Sequence, residues 1–83
     1  FSPNGDGLND VLKPIALGMR RLRYFKVYNR VGNLVFETTE LGKGWDGYYK
    51  GKLCTQDVYI WKISATFSDG KTYNKTGDVL LLR

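Results

Sequence analysis

Residues 58–67 constrain the fold of this chain most, because every odd-numbered position among them is apolar or aromatic. Successive side chains of a β-strand point to opposite faces of a sheet, so this spacing places one set of side chains in a core. Lys62, Ser64 and Thr66 alternate with that set. We therefore predict one long strand whose core-facing residues are Tyr59, Trp61, Ile63, Ala65 and Phe67.

Shorter extended segments, separated by turn residues, fill the rest of the chain. The chain holds 10 glycines, and 14% of its residues are aromatic. Both features favour β structure with many turns and little helix. Proline cannot donate to a strand ladder, so Pro14 makes the first segment an edge or bulged strand. The further predicted strands cover residues 11–17, 22–29, 34–38, 72–74 and 78–82.

Glycine and Asx residues predict how these strands connect. The loop at residues 29–33 is typical of a hairpin with a bulge, and Asp69-Gly70 marks a second tight turn. Residues 18–21 and 51–52 read as turns, and Gly77 is expected to interrupt the chain before its last strand. Trp45 is expected to enter the core from the glycine-rich loop at residues 42–47.

The faces of two strands carry specific expectations. In residues 22–29, Phe25 and Val27 should share one face, and the opposite face should hold Leu22, Tyr24, Lys26 and Tyr28. Lys26 and Lys62 are expected to lie along the sheet surface, with their charges in solvent. The last strand is apolar on both faces, which favours a place between neighbours or beneath a loop.

These elements together predict a single all-β domain. About 6 or 7 short strands, spaced by turns, are typical of an Ig-like antiparallel β-sandwich rather than a barrel. The sequence contains no apolar segment long enough to predict a membrane span.

Composition argues against several function classes. The net charge of +5 is scattered along the chain, which does not favour nucleic-acid binding. Cys54 is the only cysteine and histidine is absent, so neither an internal disulfide nor a Cys/His zinc site can form. No Ser or Cys has an activating base, and we expect no enzymatic activity.

The opening run FSPNGDGLND (residues 1–10) is a candidate calcium loop. Asn4, Asp6 and Asp10 occupy ligand spacings of a calcium-binding loop, although Lys13 stands where a bidentate Glu belongs. Asp46 completes the site only if its own loop folds over. In the alternative, the same side chains bond backbone amides without metal and form a rigid lid.

Exposed aromatic rings offer an alternative function in carbohydrate binding. Tyr48 and Tyr49 beside Trp45 form the loop cluster that such an interpretation needs, whereas Trp61 belongs to the core face. A surface spacer of Ig-like fold is the other non-enzymatic alternative.

The motifs taken in order resemble a known family. They are FSPNGDGLND (1–10), VYNRVGNLVFE (27–37), GWDG (44–47), VYIW (58–61) and LLR (81–83). Together these motifs resemble the gliding motility-associated C-terminal domain, also called the type B sorting domain of the type IX secretion system. The chain departs from the family pattern at Val31, where the family usually has tryptophan, and at residues 54–57, where it often has Pro and Gly.

The resemblance implies that the domain is a non-enzymatic sorting signal. Residues 1–83 would be a single C-terminal sorting domain of a longer, adhesin-like protein that is exported to the cell surface. The implied partners are type IX secretion components and an outer-membrane partner protein of the β-barrel type, with the isolated domain a monomer. The last strand, at residues 79–83, and the basic pair Arg20-Arg21 are the first candidates for partner contact, because an edge strand can pair with a partner.

Overall fold

The computed structural model describes Leu12 and residues 18–82 of the chain. All regular structure within these residues is extended, and none of them is helical. The strands are β1 (Met19–Tyr28), β2 (Leu34–Thr38), β3 (Tyr48–Tyr49), β4 (Lys52–Leu53), β5 (Asp57–Phe67) and β6 (Thr72–Leu81). The predicted strand at residues 11–17 lies outside the described residues except for Leu12, which forms an isolated bridge with Trp45.

The described strands form two antiparallel sheets. The larger sheet has the order β2-β1-β5-β6, and the smaller one pairs β3 with β4. This arrangement is consistent with a small β-sandwich and confirms the predicted fold class. The core lies on one face of the larger sheet, and its buried apolar members are Leu22, Phe25, Val27, Val35, Trp45, Tyr59, Ala65 and Leu81.

A bulge in β1 corrects the predicted faces of that strand. Leu22 pairs with Ala65 and Tyr24 pairs with Ser64, so Arg23 is an extra residue on β1. An extra residue reverses the alternation of side chains beyond it. Leu22 is therefore buried together with Phe25 and Val27, and the prediction that it shares the face of Tyr24 was wrong.

The start of β1 also differs from the prediction. Residues 19–21 were expected to turn, but β1 begins at Met19, and Gly18 alone among residues 18–21 lies in a turn. Gly18 has φ +84° and accepts a backbone hydrogen bond from Ser68 of 2.7 Å. A single left-handed glycine is therefore enough to bring the chain into the strand.

The predicted hairpin between β1 and β2 is present. Asn29 Oδ1 accepts hydrogen bonds from the amides of Val31 (3.1 Å) and Asn33 (2.9 Å), and Gly32 has φ +93°. Val31 is 81% exposed at the tip of this loop. Its place in the hairpin requires no aromatic side chain, so the departure from the family's tryptophan leaves the loop geometry intact.

A second, smaller hairpin connects β3 and β4. Its turn residues are Lys50 and Gly51, which have φ +51° and +81°. Two consecutive left-handed residues form a turn whose twist suits a two-residue β-hairpin. The predicted turn at residues 51–52 is thus shifted by one position, because Lys52 already belongs to β4.

β6 departs from the prediction in its length. It is continuous through Gly77, which pairs directly with Trp61 of β5. Gly77 does not interrupt the strand; it makes room for the Trp61 ring, which lies where a Cβ would stand. Among the described strands β6 pairs with β5. The predicted place of the last strand, between neighbours or beneath a loop, involves residues outside the described part of the chain and stays a prediction.

Trp45 anchors the loop before β3 in the core, as predicted. Its side chain is fully buried, and its ring meets Tyr59 edge to face with centroids 4.9 Å apart. The indole Nε1 donates a hydrogen bond of 2.9 Å to the carbonyl of Tyr48. Trp45 also exchanges two backbone hydrogen bonds of 2.8 Å with Leu12. One residue therefore ties the start of the described chain, the loop and the large sheet together.

Candidate protein-interaction surface

The face of the larger sheet opposite the core carries a group of exposed apolar side chains. Val58 pairs with Leu80 across β5 and β6, and these side chains are 40% and 47% exposed. Ile60, 39% exposed, lies opposite Tyr28 of β1, which in turn lies opposite Leu34, 38% exposed. Directly paired residues project from the same face of a sheet. We call this group the outer patch: Tyr28, Leu34, Val58, Ile60 and Leu80.

The outer patch spans all four strands of the larger sheet. Exposed apolar residues are common singly, but contiguous groups rimmed by polar residues mark interaction sites. Covering the exposed part of one such side chain contributes on the order of 1 kcal/mol. A partner that packs flat against this face would gain from several of them at once.

Two lysines border the outer patch on the same face. Lys26 of β1 and Lys62 of β5 are direct cross-strand partners. The Lys26 ammonium lies 4.9 Å from the centroid of the Tyr24 ring, and that of Lys62 lies 5.5 Å from the centroid of Tyr28. Both side chains lie along the sheet, as predicted. Lys26 Nζ is also 3.7 Å from a carboxylate oxygen of Glu37.

The sequence predicted two regions for partner contact, and their positions in the fold differ from each other. Arg20 and Arg21 are exposed, but they belong to β1 and not to a turn. Val79 is half-buried on the core side of β6, whereas Leu80 is exposed in the outer patch. Arg83 lies outside the described residues. The last strand thus contributes to a candidate surface through its outer face.

A cleft of about 690 Å³ opens beside the β1–β2 hairpin, and both Leu34 and Val35 of β2 line it. Arg30 Nη1 and Asp57 Oδ1 approach to 3.5 Å at its wall. The Tyr59 hydroxyl donates a hydrogen bond of 2.7 Å to the carbonyl of Thr55, and burial raises the pKa of this phenol. Cys54 is half-buried and packs against the core, as a small apolar filler would. These groups stabilise the wall and form no arrangement of acid and base.

The aromatic cluster considered for sugars is divided by the fold. Trp45 is fully buried and cannot offer a ring face to a ligand. Tyr48 and Tyr49 are exposed by 47% and 43%, and as neighbours in β3 they point to opposite faces. The cluster therefore does not form one stacking platform.

The candidate calcium ligands Asn4, Asp6 and Asp10 lie outside the described residues. Asp46 is described, and its Oδ1 accepts a hydrogen bond of 3.0 Å from the amide of Tyr48. The bridge between Leu12 and Trp45 brings Asp46 close to Leu12. Within residues 18–82 and Leu12, no three His, Cys, Asp or Glu side chains are grouped as a metal site would require.

Sequence reasoning did not find the outer patch. Val58 and Ile60 occupy even positions of β5, and the alternation that identifies the core face draws attention away from them. A signal was present, because residues 58–61 are apolar or aromatic at both odd and even positions, whereas residues 62–66 alternate with polar side chains. Apolar residues on both faces of a strand indicate that both faces are covered in some assembly.

Fold and surface together define a small all-β domain with a partly apolar outer face. Residues 1–81 of the 83-residue chain match the CHU_C type IX secretion signal domain, and the chain therefore belongs to this family. The domain is a sorting signal, and the protein that carries it is exported to the cell surface or secreted. Neither the curated proteins nor the solved structures include a significant match. The described residues contain no helix that could cross a membrane.

Proposed function

We propose that this domain is read as a folded unit, by protein-protein contact, when the type IX secretion system exports the protein that carries it. The recognition surface is the outer patch, and the domain itself performs no chemistry. Residues 1–83 act as the C-terminal sorting domain of a longer cell-surface protein of the adhesin type. The partners are type IX secretion components and an outer-membrane protein of the β-barrel type.

The exposed outer patch is the observation that carries this proposal. The core face of the larger sheet is filled by the domain's own side chains, yet the opposite face presents apolar residues on all four strands. A surface spacer has no need of such a face, and exposed apolar groups cost solubility. A domain that must be recognised by another protein does need one.

Fusing residues 1–83 to a periplasmic passenger tests the proposal. In a cell with the type IX system the passenger should reach the surface or the medium, and in a matched strain without the system it should remain in the periplasm. Retention of the passenger in both strains would identify the domain as a spacer or a ligand-binding module. Passenger alone is the control for leakage.

We also propose calcium binding by the opening loop, through Asn4, Asp6 and Asp10. The support is the ligand spacing, together with the position of Asp46, whose second carboxylate oxygen is not used in the bond to Tyr48. Sites with few carboxylates of this kind bind in roughly the 10⁻⁴ to 10⁻³ M range. Millimolar calcium should raise the melting temperature, and Asp6→Asn should abolish the rise. No heat in a calorimetric titration and no shift in melting temperature would exclude the site.

A further inference from the structure

Lys26 and Lys62 face each other directly across β1 and β5. Like charges in directly opposed strand positions are destabilising, and their Cβ atoms are about 5 Å apart. The two tyrosine rings beneath the ammonium groups offset part of this repulsion. Glu37 lies close to Lys26, but among the described residues no carboxylate lies within ion-pair distance of Lys62. The pair therefore holds positive charge that the domain neutralises only in part.

The position of the pair links it to the outer patch. In the paired strands, the next row on the same face as Lys26 and Lys62 contains Tyr28 and Ile60, which belong to the patch. Thr76 and Asp78 continue these two rows on β6. A partner segment that runs along the strands from the outer patch toward Lys26 therefore meets both ammonium groups in the adjoining row.

We propose that the lysine pair and the outer patch together bind an acidic segment of a partner protein, with its carboxylates at Lys26 and Lys62 and its apolar side chains on the patch. This inference rests on the proposed function and names the chemistry of the partner. Two lysines that repel each other in the free domain are both stabilised when carboxylates approach them, so the contact relieves an existing cost.

The shape of the face favours protein over the other anionic partners. The apolar side chains of the patch are less than half exposed, whereas insertion into a lipid surface needs apolar groups that project. Bases of a nucleic acid would need open aromatic faces, yet Tyr24 and Tyr28 are capped by lysine ammonium groups. The face of one sheet packs well against the face of another.

A synthetic peptide with alternating Glu and Val residues is the probe for this proposal. Titration of the 83-residue chain, followed by NMR, should shift signals of Lys26, Lys62, Ile60 and Val58, with affinity that falls as salt is raised. Lys26→Gln/Lys62→Gln should weaken binding roughly tenfold. The matched control Lys50→Gln/Lys52→Gln changes the same charge on the β3–β4 hairpin and should bind as the unchanged chain does.

A gain of affinity provides a further test that loss of folding cannot imitate. Glu37→Gln removes the carboxylate that competes for Lys26 and should strengthen peptide binding about twofold. Equal binding by the lysine double variant and its control would overturn the inference. The inference would also be overturned if the peptide shifted NMR signals elsewhere in the chain and not those of the lysine pair and the outer patch. Binding to vesicles of anionic phospholipid in preference to the peptide would overturn it as well.

The export assay separates this inference from the proposed function. With the 1–83 fusion, Lys26→Gln/Lys62→Gln should reduce surface delivery, while Lys50→Gln/Lys52→Gln should not. If the unchanged fusion is exported and the lysine variant is exported equally well, this inference fails and the proposed function stands. If the unchanged fusion is not exported, the proposed function itself fails.

Discussion

At the scale of single residues, Gly77 illustrates a requirement that comes from a neighbour and not from the backbone. Gly77 is not among the glycines with positive φ, so its conformation is open to other residues. A Cβ placed there would lie 2.7 Å from Trp61 Cε2 and 3.1 Å from Nε1, which is too close for atoms that are not bonded. The glycine lets the indole ring pack closely against β6.

Gly77→Ala should therefore destabilise the domain by about 1 to 3 kcal/mol, since the ring and the new methyl group compete for one space. Chemical denaturation measures the change. Trp61→Phe removes the atoms that clash, so the double variant should lose less than the sum of the two single variants. Strict additivity would show that the two side chains do not interact. Lys75→Ala, an exposed change on the same strand, is the control.

Tyr59 makes the stability of the fold depend on pH in the alkaline range. Its side chain is 3% exposed, and burial raises the pKa of the phenol above its ordinary value of 10.0. The Tyr59 phenol therefore holds its proton more tightly in the folded state than in the unfolded chain. The stabilising effect is complete below pH 10.0 and is lost as pH rises from there through the folded-state pKa.

Tyr59→Phe should accordingly lower stability at neutral pH, because the bond to the Thr55 carbonyl is lost, and should make stability less sensitive to alkali. Melting temperatures measured from neutral pH to beyond 10.0 test both parts. A hydrogen bond to Asp69 also raises the pKa of Tyr73, so Tyr73→Phe serves as the comparison. An unchanged alkaline slope in Tyr59→Phe would contradict the assignment.

At the scale of elements, the β1–β2 hairpin depends on one side chain. Asn29 Oδ1 accepts both loop amides, so Asn29→Ala leaves two donors without a protein partner. Each such bond contributes about 0.5 to 1.5 kcal/mol, and the exposed loop lets water replace part of it. We expect a loss of roughly 1 kcal/mol, measured by denaturation. Asn29→Asp keeps the acceptor and should retain most of the stability; a loss equal to that of Asn29→Ala would contradict this account.

Elements with a simple period were predictable, and elements with an irregular one were not. The alternation in β5 and the Asx and glycine residues of the hairpin loops could be read directly. The bulge at Arg23 could not, because the extra residue becomes visible only when β1 is paired with β5. Gly77 was misread for a similar reason, since its partner Trp61 is 16 positions earlier in the chain.

At the scale of the whole molecule, sequence predicted the inside of the domain better than its outside. Burial imposes a pattern on the chain, and the core residues Trp45 and Tyr59 follow it. The outer patch has no such pattern, because its members come from four strands and meet only after the sheet order β2-β1-β5-β6 is formed. Sequence motifs could therefore identify the family without indicating which surface the family uses.

The central claim is that the type IX secretion system recognises the outer face of the larger sheet. Surface delivery of a passenger fused to residues 1–83 tests it most directly when two double variants are compared. Val58→Thr/Ile60→Thr makes the outer patch polar but keeps the β-branched shape of both side chains. Val31→Thr/Leu41→Thr makes a similar change at exposed loop positions.

Both variants should fold with melting temperatures close to that of the unchanged domain, because all four positions are exposed. The outer-patch variant should leave most of the passenger in the periplasm, and the loop variant should deliver it to the surface. Equal delivery by the two folded variants would contradict the account.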